Sequence, residues 1–254
     1  MNAMTKRMTF LGCPLDTAGA DEILTRAEAA ALGEGPRLRV EGLNVAKLVE
    51  AREDPALMAA LREAELVHAD GKGIVIGLGI AGIDVPRCAG IDLMRSLCEL
   101  AARRGIGVYL LGTRPETIAA AVENLAHDIP GLLVSGFRDG YFSRHEERDV
   151  VEEIRASGAR FLFIGISSPK KEIFLRRNWE TLGVGVGMGV GGAFDVVSGR
   201  LPRAPLWMQG AGLEWLFRLL LEPRRLGWRY LRTNAIYARL LFGLKFGAGH
   251  RAGR

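Results

Sequence analysis

Short apolar segments alternate with amphipathic helical patterns along the first 200 residues, and this alternation limits the fold more than any other feature. Residues 37–42, 108–111 and 161–166 have the composition of buried strands. Helical periodicity lies between them, for example at residues 44–62 and 114–126. Strands that alternate with helices form parallel sheets covered on both faces. The pattern therefore predicts an α/β fold with a doubly wound, mostly parallel, Rossmann-like sheet.

The chain changes character near residue 200. Residues 200–254 contain eleven basic and two acidic residues, a net charge of +9, whereas the preceding residues carry −4. At residues 226–246 arginines stand beside Trp, Tyr and Leu, which is typical of helices at a membrane interface. We predict an α/β domain at residues 1–200 and a helical, basic, membrane-associating appendage at residues 201–254. An apolar face on this appendage would also allow homo-oligomers to form when no membrane is present.

Several functional classes lack their sequence signals. The chain has no signal-peptide core and no apolar run of about 18 residues, so we expect a cytoplasmic protein that is peripheral on the inner face of the membrane. Cys13, Cys88 and Cys98 are isolated, which indicates neither a zinc site nor a disulfide framework. Walker, zinc-protease and serine-hydrolase motifs are absent, as is an Asp-x-Asp pair that would chelate a metal. We therefore expect no metal and no cofactor.

Candidate chemistry follows the strands, because ligands of such sheets bind outside the carboxyl ends of the strands. Asp70 lies where an apolar run ends, which is a suitable place for a general base; the alternative is a structural turn aspartate. Arg87 precedes a helix that starts near Gly90, and the two could hold a diphosphate. The alternative is an exposed arginine before a capped helix. We interpret His68 as structural.

Three further segments offer anion-binding geometry. Gly112 follows a strand and precedes a helix, a generic arrangement found in many α/β proteins. After a strongly apolar strand, a helix opens at which Ser167, Ser168, Lys170 and Lys171 could face a phosphate, with Glu172 near the helix start; the alternative is an ordinary capped helix. Residues 187–192 match G-x-G-x-x-G, yet no long helix follows. We interpret this run as backbone close to a ligand, with Asp195 available to a ribose hydroxyl.

The sequence resembles the bacterial WecG/TagA/CpsF glycosyltransferases. The similar segments occur in one consistent order over roughly residues 43–232, and together they are highly specific. They are Leu43-Asn44, Ala69-Asp70-Gly71, Arg87 with Gly90-Ile91-Asp92-Leu93, Leu110-Leu111-Gly112, Pro130-Gly131-Leu132, Gly140-Tyr141-Phe142, Pro169-Lys170-Lys171-Glu172, Gly189-Val190-Gly191-Gly192-Ala193-Phe194-Asp195, Arg203-Ala204-Pro205, Gly212-Leu213-Glu214-Trp215-Leu216-Phe217-Arg218-Leu219 and Glu222-Pro223.

This resemblance implies an inverting, metal-independent enzyme of cell-surface polysaccharide biosynthesis, such as teichoic acid synthesis. The donor would be a UDP-hexose, usually UDP-N-acetylmannosamine or its uronic acid. The alternative donor is UDP-glucose, used in exopolysaccharide assembly. The acceptor would be a sugar on a polyprenyl diphosphate. Two interpretations from other classes stay open: a nicotinamide-dependent oxidoreductase, which rests on the glycine run alone, and a basic nucleic-acid-binding module, for which no motif is present.

The resemblance also implies roles for individual residues. Asp70 would be the general base, with Arg87 as the second catalytic residue. The residues implied to bind the donor are Asn44, Gly112, Tyr141, Lys171, Glu172, Gly191, Gly192 and Asp195. The residues implied to face the acceptor or the membrane are Arg203, Arg218, Arg224, Arg225 and Arg229. Two positions depart from the family pattern: Lys171 stands where Gln is usual and Gly42 where Thr is frequent, and both leave the identity of the donor open.

Overall fold

The computed structural model describes residues 6–247. The described chain begins with an antiparallel hairpin of two strands, β1 (Arg7–Phe10) and β2 (Cys13–Asp16). Six further strands form the central sheet: β3 (Leu38–Leu43), β4 (Leu66–Ala69), β5 (Gly107–Gly112), β6 (Leu133–Arg138), β7 (Phe161–Gly165) and β8 (Val186–Gly189). Their order is β4–β3–β8–β7–β5–β6, and every neighbouring pair is parallel.

Helices cover both faces of this sheet, which confirms the predicted α/β class. They are α1 (Ala20–Leu32), α2 (Val45–Ala51), α3 (Pro55–Glu63), α4 (Lys72–Ile80), α5 (Gly90–Arg104), α6 (Pro115–Asp128), α7 (Glu147–Ala156), α8 (Lys170–Leu182), α9 (Ala193–Val197), α10 (Leu206–Ala211), α11 (Glu214–Leu221) and α12 (Pro223–Gly247). One hydrophobic cluster packs α1, α5 and α6 against the sheet, and another packs α7 and α8 against the opposite face.

Local sequence explains most of the helix boundaries. The side chains of Asn44 and Asp54 accept hydrogen bonds from the first free backbone N–H groups of α2 and α3. Gly33 and Gly105 end α1 and α5 in the left-handed conformation that glycine adopts at little cost. The helix predicted at residues 44–62 is therefore two helices, because Asp54 and Pro55 start a new one.

The C-terminal helices pack against the sheet domain through α2 and α4. Tyr237 is buried in the same hydrophobic cluster as Phe10 and Leu48, and its hydroxyl donates to the backbone oxygen of Gly73 at 2.9 Å. Among residues 6–247, no helix combines the length and hydropathy needed to cross a membrane. The division at residue 200 stays a prediction, and the outer ends of both predicted domains, residues 1–5 and 248–254, lie outside the described residues.

Candidate functional site

Two clefts open at the carboxyl edge of the sheet. The first cleft lies beyond β4, β3 and β8, has a volume of about 500 Å³ and is closed on its outer side by α11 and α12. The second cleft lies beyond β7, β5 and β6 and has a volume of about 790 Å³. Both are large enough for a sugar or a nucleotide. Their position agrees with the general rule that parallel sheets bind ligands at the strand ends.

Asp70 forms part of the first cleft wall, directly after β4. Its backbone N–H donates to the oxygen of Leu43 at 3.0 Å, which continues the ladder between β3 and β4. Its Oδ1 accepts a hydrogen bond of 2.8 Å from the backbone nitrogen of Gly90, the first residue of α5. The carboxylate is therefore oriented by the N-terminus of α5.

Arg87 connects Asp70 to the C-terminal helices. Its Nε donates to the backbone oxygen of Asp70 at 3.0 Å, and its Nη1 donates to the backbone oxygen of Gln209 at 3.3 Å. Its Nη2 pairs with the carboxylate of Glu214. Arg87 lies in the first cleft, as the sequence suggested, but its guanidinium is occupied by protein groups. Glu214 was not among the sequence-based candidates, because only the fold brings α11 close to β4.

A fully buried histidine lies beneath Asp70. His68 pairs with Gly42 in the register of β3 and β4, and a Cβ atom added to Gly42 would lie 3.2 Å from His68 Nε2 and 3.1 Å from the Cβ of Asp70. A side chain at position 42 would therefore press on the imidazole unless the ring shifted by a few tenths of an ångström. Among residues 6–247, neither ring nitrogen of His68 makes a hydrogen bond of good geometry, although backbone groups of Ala69 and Cys88 lie near the ring. Burial lowers the pKa of His68 to about 4, the nearby Asp70 carboxylate opposes this effect, and the ring is neutral at pH 7.

Lys171 and Glu172 do not reach the wall of either cleft. Both are buried at the start of α8 in a network with Glu41 and Lys47. Lys47 Nζ lies 3.0 Å from Glu41 Oε2 and 2.8 Å from Glu172 Oε1. Burial works against the charge of Lys47, but the two carboxylates raise its pKa above the usual value. The network thus joins β3, α2 and α8 beneath the first cleft, and we assign it a structural role.

Asn44 and the glycine run lie around the first cleft. Asn44 forms part of the wall, and its Oδ1 accepts from the backbone nitrogen of Lys47 at 3.0 Å, which fixes its side chain. Gly192 also lies in this wall, and Gly191 adopts a positive φ of 56° just before it. The run leads into α9, a helix of five residues. A dinucleotide fold requires a long helix at this point, so the geometry does not favour a nicotinamide site.

The second cleft contains Tyr141 and Asp195. Tyr141 leaves 74% of its surface exposed. Asp195 Oδ1 accepts from Thr113 Oγ1 at 3.1 Å and from Arg200 Nη1 at 2.8 Å. Gly112 has a φ of 144°, and a Cβ at this position would collide with the backbone of Gly165. Gly112 therefore allows the strand ends to approach and lies behind the cleft wall.

Positive charge dominates the second cleft. Its wall has six basic residues and three acidic ones. The basic residues are Arg114, Arg144, Lys170, Arg177, Arg200 and Arg225, and the acidic residues are Glu147, Asp195 and Glu222. Within residues 6–247, the first four cations have no carboxylate within 4 Å, whereas Arg200 and Arg225 are paired. An excess of unpaired cations favours an anionic ligand such as a diphosphate. Lys170 and Arg114 belong to segments that the sequence offered for anion binding, whereas sequence reasoning missed Arg144 and Arg177, because only the fold brings them to this cleft.

A narrow wall separates the two clefts. The guanidinium of Arg218, from α11, lies against the backbone of Gly192, where any side chain would collide with it. Its Nη2 lies 3.8 Å from Asp195 Oδ2, and its Nε lies 3.6 Å from Glu222 Oε2. These distances are long for ion pairs, so the guanidinium is held loosely. Arg218 forms part of the first cleft wall, whereas its two carboxylate partners belong to the wall of the second.

The remaining candidate arginines are distributed around both clefts. Arg203 lies in the first cleft and pairs with Asp92 at 2.7 Å. Arg229 also lies there and forms a two-pronged pair with Glu50 at 2.6 and 2.7 Å. Arg224 is exposed and belongs to neither cleft wall. In the described part of the chain, no group of three or more His, Cys, Asp or Glu side chains is arranged to hold a metal ion.

A comparison with protein families agrees with this geometry. The family described as "Glycosyl transferase WecG/TagA/CpsF family" matches residues 8–251, nearly the whole chain. The match includes both clefts and the C-terminal helices that close the first one. The chain therefore belongs to this family, whose members are glycosyltransferases of cell-surface polysaccharide synthesis.

Proposed function

We propose that this WecG/TagA/CpsF family member is an inverting, metal-independent glycosyltransferase. It transfers an N-acetylmannosamine-like hexose from UDP to a sugar on a polyprenyl diphosphate. The observation that carries this proposal is the pair of adjacent clefts: one contains an oriented carboxylate, Asp70, and the other an excess of unpaired cations. A transferase needs a base at the acceptor and positive charge at the leaving diphosphate, and this arrangement would supply both.

The donor nucleotide would occupy the second cleft. The exposed ring of Tyr141 would stack on uracil, and Asp195 would accept from the ribose hydroxyls after releasing Arg200. The unpaired cations would surround the diphosphate. The diphosphate would cross the wall at Gly192, displacing the loosely held Arg218, so that the sugar reaches the first cleft. Lys171 and Glu172 would support this edge of the sheet from below.

Transfer would take place at Asp70. The free oxygen of its carboxylate accepts the proton of the acceptor hydroxyl, and the hydroxyl oxygen forms a bond to the anomeric carbon. The bond from that carbon to the diphosphate oxygen breaks, and UDP leaves with the electron pair. Attack from the face opposite UDP inverts the configuration. Arg87 would turn from Glu214 toward the diphosphate as negative charge develops there.

The C-terminal helices would bring the enzyme to the inner face of the membrane. Trp207 and Trp228 leave 68% and 76% of their surfaces exposed, and Arg224 is exposed near them in sequence. Indole rings beside cations are typical of proteins that bind anionic lipid surfaces. A polyprenyl-linked acceptor is confined to the membrane, so such docking would place the first cleft beside its substrate.

Calorimetry of UDP binding tests the donor site. We expect wild type to bind UDP equally well with and without Mg²⁺. Asp195→Ala should weaken binding about tenfold, because it removes a charged acceptor for the ribose hydroxyls, and bonds to charged groups contribute about 1.5–3 kcal/mol. Asp84→Ala, an exposed aspartate outside both clefts, is the matched control.

Strict dependence on Mg²⁺, or equal binding by both variants, would contradict the proposal. If UDP binds as expected, assays with UDP-N-acetylmannosamine, its uronic acid and UDP-glucose would identify the sugar that is transferred. Turnover with UDP-glucose alone would select the alternative function, a glucosyltransferase of exopolysaccharide assembly.

A further inference from the structure

The outer wall of the first cleft is aromatic. Trp215 from α11 and Tyr230 from α12 both form part of this wall, and their ring centroids lie 6.2 Å apart with planes at 80°. Trp215 leaves 42% of its surface exposed, less than the two tryptophans outside the clefts. A half-exposed indole, fixed edge-to-face by a second ring, presents a rigid apolar surface to whatever enters the cleft.

The same wall has polar groups without partners. The hydroxyl of Tyr230 and the side-chain amide of Asn234 make no hydrogen bond within residues 6–247. They lie one turn apart on α12, so they occupy the same face of the helix. By contrast, Thr233 and Tyr237 in this wall donate to the backbone oxygens of Arg229 and Gly73. The cleft thus combines an apolar ring surface with free donors and acceptors.

A chain of contacts connects this surface to the general base. Arg87 bonds to the backbone of Asp70 and to the carboxylate of Glu214, and Trp215 follows Glu214 in the sequence. The aromatic wall and Asp70 therefore lie on the same cleft, joined through one guanidinium. A ligand that packs on Trp215 would be held within the cavity that contains Asp70.

We propose that Trp215, Tyr230 and Asn234 form the subsite for the acceptor sugar; this inference rests on the proposed function. The pyranose ring packs its C–H face on the Trp215 indole. Tyr230 and Asn234 bond its hydroxyl groups, and one further hydroxyl points to Asp70. A lipid chain is a poorer occupant, because it would cover the phenol and the amide without giving them hydrogen-bond partners.

Steady-state kinetics test the subsite, with the full chain and a water-soluble acceptor analogue that carries a short lipid. Trp215→Ala should raise the acceptor KM at least tenfold and leave the donor KM unchanged. Trp215→Phe should restore most of the loss. Tyr230→Phe, which removes only the hydroxyl, should raise the acceptor KM about twofold to tenfold. Phe137→Ala is the matched control, since this half-exposed ring lies on the edge strand β6 and outside both clefts.

An acceptor KM for Trp215→Ala equal to that of Phe137→Ala would overturn the inference, as would an equal rise in the donor KM. Failure of the proposed function has a different signature, because wild type would then transfer no sugar from any UDP-sugar. In that case, saturation-transfer NMR with methyl α-D-glucopyranoside tests the subsite alone. Transfer to the sugar that is lost in Trp215→Ala would support the inference, and transfer that persists unchanged would refute it.

Discussion

The two clefts lie at the same sheet edge but differ in how many of their cations are paired with carboxylates. In the first cleft, Arg87, Arg203 and Arg229 each pair with a carboxylate. In the second, Arg114 and Arg177 have no carboxylate within 4 Å in the described part of the chain. Paired charges fix side chains in place, whereas unpaired charges attract a ligand of opposite sign. Most cations of the first cleft are therefore fixed in pairs, whereas four cations of the second are available to an anionic ligand.

The largest effect should come from the carboxylate of the first cleft. Asp70→Asn removes the proton acceptor, so turnover should fall about 10²–10⁴-fold while UDP affinity stays unchanged. Initial rates at saturating donor, together with calorimetry, measure both quantities. Asp84→Asn serves as the matched control, since this exposed aspartate lies outside both clefts. Near-normal turnover in Asp70→Asn would remove the functional contrast between the clefts.

The floor of the first cleft should depend on buried charge. Lys47→Met leaves Glu41 and Glu172 with too few cations in the protein interior and should lower the free energy of unfolding by about 3–5 kcal/mol. Urea denaturation measures this loss. The double variant Lys47→Met/Glu41→Leu keeps the remaining network neutral and should recover part of it. Exposed Lys245→Met should have no effect. A stable Lys47→Met single variant would show that the network is dispensable.

The second cleft should respond to salt and to loss of its cations. Arg114→Gln/Arg177→Gln should weaken UDP binding about tenfold at low ionic strength, and the difference from wild type should shrink as salt screens the field. Arg103→Gln/Arg148→Gln removes the same charge from exposed helix positions outside the clefts and should leave affinity unchanged. Equal losses in both double variants would attribute binding to overall charge instead of to the cleft.

The smallest effect concerns His68 and acid. The depressed pKa of His68 means that the unfolded chain binds more protons than the folded chain between about pH 6.5 and 4. The contribution of His68 to the free energy of unfolding is therefore complete above pH 6.5 and declines as the pH falls through that window. His68→Leu removes two unpaired nitrogens and should flatten this decline, with a change at pH 7 of about 1 kcal/mol or less. Urea midpoints at pH 7 and pH 4.5 give the comparison.

Sequence reasoning located the residues whose position depends on a strand end. Asp70, Tyr141 and Asp195 follow apolar runs, and the structure places each of them on a cleft wall. This placement follows from the chain direction alone, because all strands of a parallel sheet end at the same edge. It does not specify which face of the following helix a side chain takes. For that reason Lys171, expected beside the diphosphate, and Glu172, expected at the donor, lie inside the protein instead.

Contacts between distant segments could not be read in the same way. Glu41 and Lys47 each look like a lone charge within an apolar segment, and only the packing of α8 against β3 explains them. Glu214 reaches Arg87 across 127 positions of the chain. The signal that could have found Glu41 and Lys47 is their position in buried elements, because a charge is rarely buried without a partner.

The closure of the first cleft by α11 and α12 has a consequence for water. An activated sugar beside an oriented carboxylate can pass to any hydroxyl group that reaches it, and water is the most abundant one. Arg87, Trp215 and Tyr230 hold the outer wall over Asp70. In the proposed reaction, the C-terminal helices would thereby set how often the donor is hydrolysed for each sugar delivered. In that reaction, the fraction of donor lost to water would depend on this outer wall as much as on Asp70.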